Sequence, residues 1–439
     1  MKRTLVWFRG KDLRIDDHQP LLDAAAAGDV IPLFVLDPYF FAKERAAELP
    51  NRIAFLLGSL SEVADRLETL GSRLVVVEGR SVDLVPKLAA QWKVDQVFAH
   101  RWVEPFGRER DARVAKALKV PFTLYEGETL LPPGALRPFR VFTAFARAHE
   151  REHTPTRPMG APKRLPPLPK DVTWKEAKIP TAQSLGLKLA PRLPEPGEGA
   201  AKHRLRVFVR DNLERYLTER DRMDLDTTSR LSVDLKFGTL SIRTVWHACA
   251  EQPQAEKFLS ELRWREFSHH VLWHRPDVLQ EPFQPAFQKF PWREDEKLFR
   301  AWTEGTTGYP VVDAAARQLL AEGFVHNRAR MVAASFLAKH LMLDWRLGEK
   351  HYMKHLVDGD WAQNDLGWQW SAGCGCDAQP YFRVFNPTAQ AERFDPDGSY
   401  VKRWVPRPVE KPIVDHAESR ARFLAVAKQH LAKQRAQVR

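Results

Sequence analysis

The 439-residue sequence has only three cysteines, Cys249, Cys374 and Cys376. So sparse and odd a set excludes a disulfide framework, and it falls short of the four thiolates that hold an iron–sulfur cluster. The Cys374-Gly-Cys376 pair reads as small core residues rather than a metal site. There is no run of 18 apolar residues, so no membrane-spanning helix is expected. The apolar run in the N-terminal MKRTLVWF is too short for a signal peptide, and a cytoplasmic protein is the expectation. The first apolar run leads into Phe8-Arg9-Gly10-Lys11-Asp12-Leu13-Arg14. This lacks GxGxxG, so the usual pyrophosphate turn is missing. His270 and His274 stand four apart, but the HExxH glutamate and a third ligand are absent, and no metal is expected.

What is there is globular. Hydrophobic residues make up 44% and charged residues 28%. The length calls for two or three packing units. Lysine plus arginine (68) less aspartate plus glutamate (56) leaves +12, compatible with a polyanionic partner. There are 14 tryptophans, most of them after residue 260. They can serve as bulky core, as stacking platforms or as electron carriers.

Five short apolar runs alternate with helical stretches in the first part. The runs are Thr4–Phe8, Val30–Leu36, Leu74–Val77, Gln96–Ala99 and Phe122–Tyr125. The helical stretches are Leu21–Ala27, Arg52–Leu70, Val82–Trp92 and Arg108–Leu118. The alternation predicts a doubly wound, parallel five-stranded sheet covered on both faces, an α/β domain over residues 1–131. Prolines then cluster from Pro155 to Pro169 and from Pro191 to Pro196. Proline blocks helix interiors and central strands, so residues 132–200 read as an interdomain linker crossing the surface. From 201 to 439 the apolar spacing is helical, with long stretches at Arg204–Glu219, Gln254–Leu272, Val311–Glu322 and Arg328–Asp344 and no convincing strand. That part should be all-α. The last stretch, Ala417–Val438, reads as a basic, solvated helix.

Several clusters could carry chemistry. Thr227-Thr228-Ser229-Arg230-Leu231-Ser232 puts hydroxyls before a helical run, where free backbone N–H groups and hydroxyls suit phosphate. Glu261 and Trp264 share a helix face, so a carboxylate beside an indole could hold a planar ligand. His326-Asn327-Arg328-Ala329-Arg330-Met331 offers two arginines and an amide to phosphates or acids. From Asp358 to Trp370, DGDWAQNDLGWQW packs acids, an amide and indoles too densely for packing alone, since buried acids and indole N–H groups need partners.

These segments resemble the photolyase/cryptochrome family. TSRLS, ELRWREF, TGYPVVDAAARQL, VHNRARM, DWRLGE, DGDWAQNDLGWQW and PYFRVFNPTAQAERFDPDG occur in the family's order. The N-terminal VWFRGKDLRIDDHQPLL resembles the family's α/β domain. The likeness covers nearly the whole chain and is closest to bacterial cyclobutane pyrimidine dimer DNA photolyases of class I or class III type.

The resemblance implies FAD folded inside the helical domain. It places Tyr216, Thr228, Ser229, Arg230, Leu231 and Ser232 on the phosphate side, with Phe258, Glu261, Arg265 and Phe267 lining the same cavity. Asp358, paired with Arg330, and Asp360 would lie near the ribose and flavin edge. Asn364 would face flavin N5 and favour the reduced flavin that repair needs. Trp264 and Trp370 would embrace a flipped-out dimer, held also by Glu261, Asn327 and Met331. Arg220 and Arg328 would lie near the DNA backbone. Trp292, Trp345 and Trp368 would carry electrons from the surface. The implied reaction is blue-light-driven electron transfer from reduced FAD, splitting cyclobutane pyrimidine dimers in DNA. A cryptochrome-like photoreceptor is the alternative. Glu104-Pro105-Phe106-Gly107-Arg108 resembles the motif of deazaflavin- or flavin-type antenna enzymes, which leaves deazaflavin, FMN, folate and an empty antenna site as the alternatives for a second chromophore. The expected partner is ultraviolet-damaged DNA, bound by a monomer. Two departures stand out: Asp365-Leu366 where many bacterial repair enzymes carry Asn-Gly, and a short Val405–Lys411 bridge after Trp404.

Overall fold

The computed structural model describes residues 2–407 and 411–438. Five parallel strands form one sheet: β1 (Lys2–Phe8), β2 (Gly28–Leu36), β3 (Val75–Glu78), β4 (Gln96–His100) and β5 (Phe122–Tyr125), in the order β3-β2-β1-β4-β5. Alternate residues face opposite sides of a strand. Val6 and Phe8 therefore join Phe34, Val76 and Phe55 on one face. Leu5 and Trp7 join Ile31, Val75, Val97 and Leu88 on the other. Both faces are buried, which explains why the strands read as near-continuous apolar runs. The chain builds outward from β1 to β3, then crosses back to β4. The strand order thus reverses beside β1, where doubly wound sheets open a crevice at the strand C-termini.

The proline-rich segment is not bare linker. It contains the helix Phe142–Glu152. Beyond it, residues 153–197 hold no helix or strand, yet they are bonded to the sheet domain. Leu165 N–H donates to Leu70 O (2.8 Å) and Ala177 N–H to Val76 O (3.1 Å). The Trp92 indole donates to Thr173 O (2.9 Å), while Leu165 and Val172 are buried. Backbone groups that the prolines keep out of regular structure find partners this way.

The remainder is helical from Glu198. Two stretches expected as single helices are interrupted. Arg204–Glu219 divides into Glu198–Val207, a π-helical turn Phe208–Asn212 and Tyr216–Glu219. Arg328–Asp344 divides into Asn327–Ser335 and a π-helical turn Phe336–His340. It stops where Met342 turns left-handed (φ 55°) and Asp344 caps the next helix by accepting from Arg346 N–H (3.0 Å). Among the described residues, this part has no strand, only the isolated bridge Arg293–Leu343. The last helix, His416–Val438, is not merely solvated. It buries Phe423 and Ala427 in the large helical core, so its apolar positions decide its docking despite its basic surface. Residues 408–410 of the short bridge lie outside the described residues.

Candidate functional site

A cavity of about 570 Å³ opens inside the helical part, within the roughly 300–1,000 Å³ usual for cofactor sites. One wall is the helix Glu256–His274, which presents Phe258, Glu261, Trp264, Arg265 and Phe267. The loop before the short helix Ser232–Phe237 supplies Thr228, Ser229, Arg230, Leu231 and Ser232, with Tyr216 and Arg220 beside it. Asn327, Arg330 and Met331 come from the helix Asn327–Ser335, and Asn364 and Trp370 from the helix Trp361–Ala372. Asp358 and Asp360 complete the lining. Residues scattered from Tyr216 to Trp370 therefore share one cavity. Lys236, Lys257 and Phe324, which no sequence signal marked, also line it, as do Gln363 of the dense Asp358–Trp370 segment and Cys376, which the sequence suggested only as a small core residue.

Arg328 is not in the lining. It pairs with Asp221 (2.9 Å) and lies over the Phe394 ring (4.3 Å). Trp292, Trp345 and Trp368 lie outside the cavity in one hydrophobic cluster. Trp368 meets Tyr352 edge-on at 5.2 Å and Trp302 at 5.8 Å. It also packs on Gly348, where a Cβ would stand 2.2 Å from the indole, so that helix position must be bare.

The polar groups are held in fixed roles. Arg330 donates to both oxygens of Asp358 (3.1 and 2.8 Å), and Ser232 Oγ donates to Asp358 Oδ2 (2.6 Å). The Asn364 amide donates to Glu349 O (3.2 Å) and Oε1 (2.9 Å). Its carbonyl oxygen is what remains to offer an occupant. Burial pushes the Glu349 carboxyl up, against the pull of that amide. Burial and the nearby Glu349 push Asp365 well up, and Gln369 donates to it (3.1 Å). Glu261 is ion-paired with Arg220, and with Lys257 at 3.0 Å.

Asp360 has two jobs. Its Oδ1 caps the Trp361–Ala372 helix, accepting from Ala362 N–H (3.0 Å) and Gln363 N–H (3.2 Å). Its Oδ2 faces Lys11 (3.4 Å) and Lys236 (3.6 Å). Burial alone would raise its pKa, but the two ammonium groups hold it well below the usual carboxylate range. Lys11 also pairs with Glu104 (2.9 Å) and Glu128, and His269 stands 3.2 Å from Glu128. Burial opposes the Lys11 charge, yet the three carboxylates raise its pKa. Glu128, His269 and Asp360 lie close enough to share a metal ion, but the ammonium of Lys11 already supplies positive charge there. In the buried Asp12–His18–His100 group, His18 Nδ1 accepts from Leu21 N–H (3.1 Å). The neutral ring therefore carries its proton on Nε2, leaving no lone pair for a metal.

A second cavity, about 620 Å³, lies at the C-terminal ends of the strands, where doubly wound sheets bind ligands. Tyr39 stacks on Phe106 (4.1 Å, 13°). Arg110 lies over Trp102 (4.4 Å) and donates to Asp111 (2.8 Å). Arg9 donates to Asp111 (2.7 Å), while its Nε and Nη2 are buried without partners. Lys236 lines both cavities, so the Lys11–Asp360 charge cluster lies at the wall between them.

The first cavity offers what FAD requires. Its isoalloxazine needs apolar walls, which Phe258, Phe267, Phe324 and Leu366 give. Its phosphates need hydroxyl and cationic donors, which Thr228, Ser229 and Arg230 give. The Asn364 oxygen suits a ring N–H. The residues present fit the group.

Comparison with known proteins agrees. The family model for DNA photolyase matches residues 4–167, and that for the FAD-binding domain of DNA photolyase matches residues 258–410. A Thermus thermophilus protein named deoxyribodipyrimidine photo-lyase is 45% identical, with 98% of this chain and 99% of that protein covered. The crystal structure of a bacterial class III photolyase from Agrobacterium tumefaciens superposes with a TM-score of 0.87 at 36% identity, covering 99% of this chain and 98% of that one. An archaeal photolyase from Sulfolobus tokodaii, solved with two FAD molecules, gives a TM-score of 0.84 at 30% identity and coverages of 97% and 100%. By sequence and by architecture, the chain belongs to the DNA photolyase family.

Proposed function

We propose that the protein is a deoxyribodipyrimidine photolyase that repairs cyclobutane pyrimidine dimers in ultraviolet-damaged DNA. The observation that carries this is the convergence on one cavity of an FAD-type donor set and two indoles, Trp264 and Trp370. FAD, when bound, supplies the light absorption and the electron that opens the cyclobutane ring. The protein's residues bind, orient and exclude water. Thr228, Ser229, Ser232 and Arg230 hold the phosphate side, and the Arg330–Asp358 pair fixes the flavin edge. Trp264 and Trp370 stack on the extruded bases, a contact worth about 1–3 kcal/mol per base. A damaged pair costs less to extrude than an intact one. Glu261 offers the lesion a carboxylate already steadied by Arg220 and Lys257. Arg328 serves the DNA side from just outside the cavity, and Trp292, Trp345 and Trp368 carry electrons inward.

The test is direct. Purified protein with reduced FAD restores a dimer-containing oligonucleotide under blue light and not in the dark. Intact dimers after illumination, with FAD bound and reduced, would overturn the reading.

Asn364→Asp is a sharper probe. It sets a carboxylate against Glu349 O and Oε1, where two amide hydrogens now stand. Buried acceptors facing one another cost about 1–3 kcal/mol, and the new acid is driven to keep a proton. The expected results are lower denaturant stability and a bound-FAD spectrum under light that differs from wild type. Identical spectra would mean that Asn364 does not face the flavin.

The second cavity is assigned to the antenna chromophore. Stacked aromatics and unsatisfied Arg9 donors favour a planar ring with an anionic tail, which points to a flavin nucleotide or deazaflavin rather than a neutral ligand. The proposed protein is a cytoplasmic monomer. Among the described residues, no helix is long and apolar enough to cross a membrane.

A further inference from the structure

The Phe142 ring lies flat on the indole of Trp264, with centroids 3.8 Å apart and planes within 9°. Trp264 lines the helical cavity and Phe142 does not. The phenyl ring therefore backs the indole on the face turned away from the cavity, leaving the other face for an occupant. Phe142 is itself fixed. It meets Phe267 edge-on at 5.9 Å, and its N–H donates to Asp377 Oδ2 (3.0 Å). Two residues earlier, Arg140 O accepts from Cys376 Sγ–H (3.3 Å). Cys376 lines the cavity, and Asp377 holds a left-handed backbone (φ 47°). The start of the Phe142–Glu152 helix is thus pinned between the Trp264 helix and the loop that closes the cavity.

We propose that Phe142 is a positioning residue for lesion recognition, setting the plane of the Trp264 indole before DNA arrives. This rests on the reading of Trp264 as a stacking platform. An indole with both faces free must be ordered when a base stacks on it, and that cost is subtracted from binding. An indole already stacked has met it in the folded state. The effect is confined to DNA that places a base in the cavity, because backbone contacts do not engage Trp264.

The test measures dark binding of the FAD holoenzyme to a dimer-containing oligonucleotide and to its undamaged counterpart. Phe142→Leu keeps apolar bulk and loses the flat stack. It is expected to weaken dimer binding by about 3–10-fold, leave undamaged DNA unchanged and leave the bound-FAD spectrum unchanged. Phe142→Tyr restores binding. Because both residues act as one unit, Phe142→Leu with Trp264→Leu binds no worse than Trp264→Leu alone. An equal loss on undamaged DNA, no loss at all, or a loss that adds fully to that of Trp264→Leu overturns the proposal. If Trp264→Leu keeps its lesion preference, the stacking role of Trp264 falls and the Phe142 proposal falls with it. If Trp264→Leu loses that preference while Phe142→Leu keeps it, only Phe142 is wrongly assigned. Should Phe142→Leu fail to retain FAD, Phe142→Met supports the same comparisons.

Discussion

Lys11→Met destabilises the protein by about 3–5 kcal/mol, the usual cost of leaving buried charge uncompensated. Methionine keeps the length of the stem and removes only the ammonium. Buried Glu104 and Asp360 are then left with Lys236, and buried Glu128 with His269. Against a total stability of about 5–15 kcal/mol, this is severe. It should also weaken FAD retention, because Asp360 lines the cofactor cavity. The pH dependence has a definite sign. Glu128 and Asp360 have folded-state pKa values held below the ordinary carboxylate range, chiefly by Lys11 against burial. Their contribution is present above that range and lost as pH falls through the folded values. Removing Lys11 removes that contribution, so the variant's deficit is largest near neutrality and narrows in acid. Denaturant unfolding at several pH values measures both effects. Adding Glu128→Gln to Lys11→Met should recover much of the loss, since it removes one uncompensated carboxylate. A fully additive double variant would show that the cluster does not act as a unit.

Below pH 6.5 the wild-type protein itself loses stability steeply. Burial lowers His326 and His270 to about 4 and His340 to about 3. Each is neutral in the fold for a structural reason. His326 Nδ1 accepts from Arg328 N–H (3.2 Å), and His270 Nε2 accepts from Phe139 N–H (3.1 Å). His340 faces His416 across 2.8 Å. A histidine with a depressed folded pKa contributes stability above its unfolded value of about 6.5 and loses it as pH falls. The slope is about 1.4 kcal/mol per pH unit for each group. Three groups together reach several kcal/mol by about pH 5. Glu349 and Asp365 act in the opposite sense. Burial raises both, so their contribution is fully present in acid and fades as pH rises, offsetting part of the histidine loss. The urea midpoint should therefore fall between about pH 6.5 and 4.5, and His340→Gln should flatten the slope. A midpoint level across that window would mean that these rings accept protons without leaving their places.

How much of this was legible in the chain depends on the range of the interaction. The central strands were readable because both faces are buried, which leaves apolar runs such as Thr4–Phe8. The cavity residues were readable because the family's long motifs carry them. The helix interruptions at Phe208–Asn212 and Phe336–His340 were not, since neither stretch carries the glycine or proline that marks a break in a sequence. Lys11 was visible only as one residue of the Phe8–Arg14 segment, which lacks a pyrophosphate turn. Its partner Asp360 stands 349 positions away, and no local pattern pairs them. Phe142 was hidden by the prolines that follow it. Phe139, Phe142 and Phe145 recur every three residues, a helical spacing that could have flagged a packed segment inside the apparent linker.

The irregular strap over residues 153–197 bears on how the two halves come to exist at all. It ties Asp171 to Arg3 (2.8 Å) at the start of the chain, and Arg192 N–H to Ala321 O (2.9 Å) in the helical part. Leu165 is in the sheet core, and Leu193 packs against the same cluster. A ribosome releases the sheet before the strap and the strap before the helices. The sheet domain therefore waits, with part of each face bare, until the strap brings Leu165 to one and Val172 to the other. The halves are not modules that can be cut apart at a boundary and traded with those of another enzyme. A gene fused at residue 131 or 200 would carry the strap away from one of the two surfaces it covers.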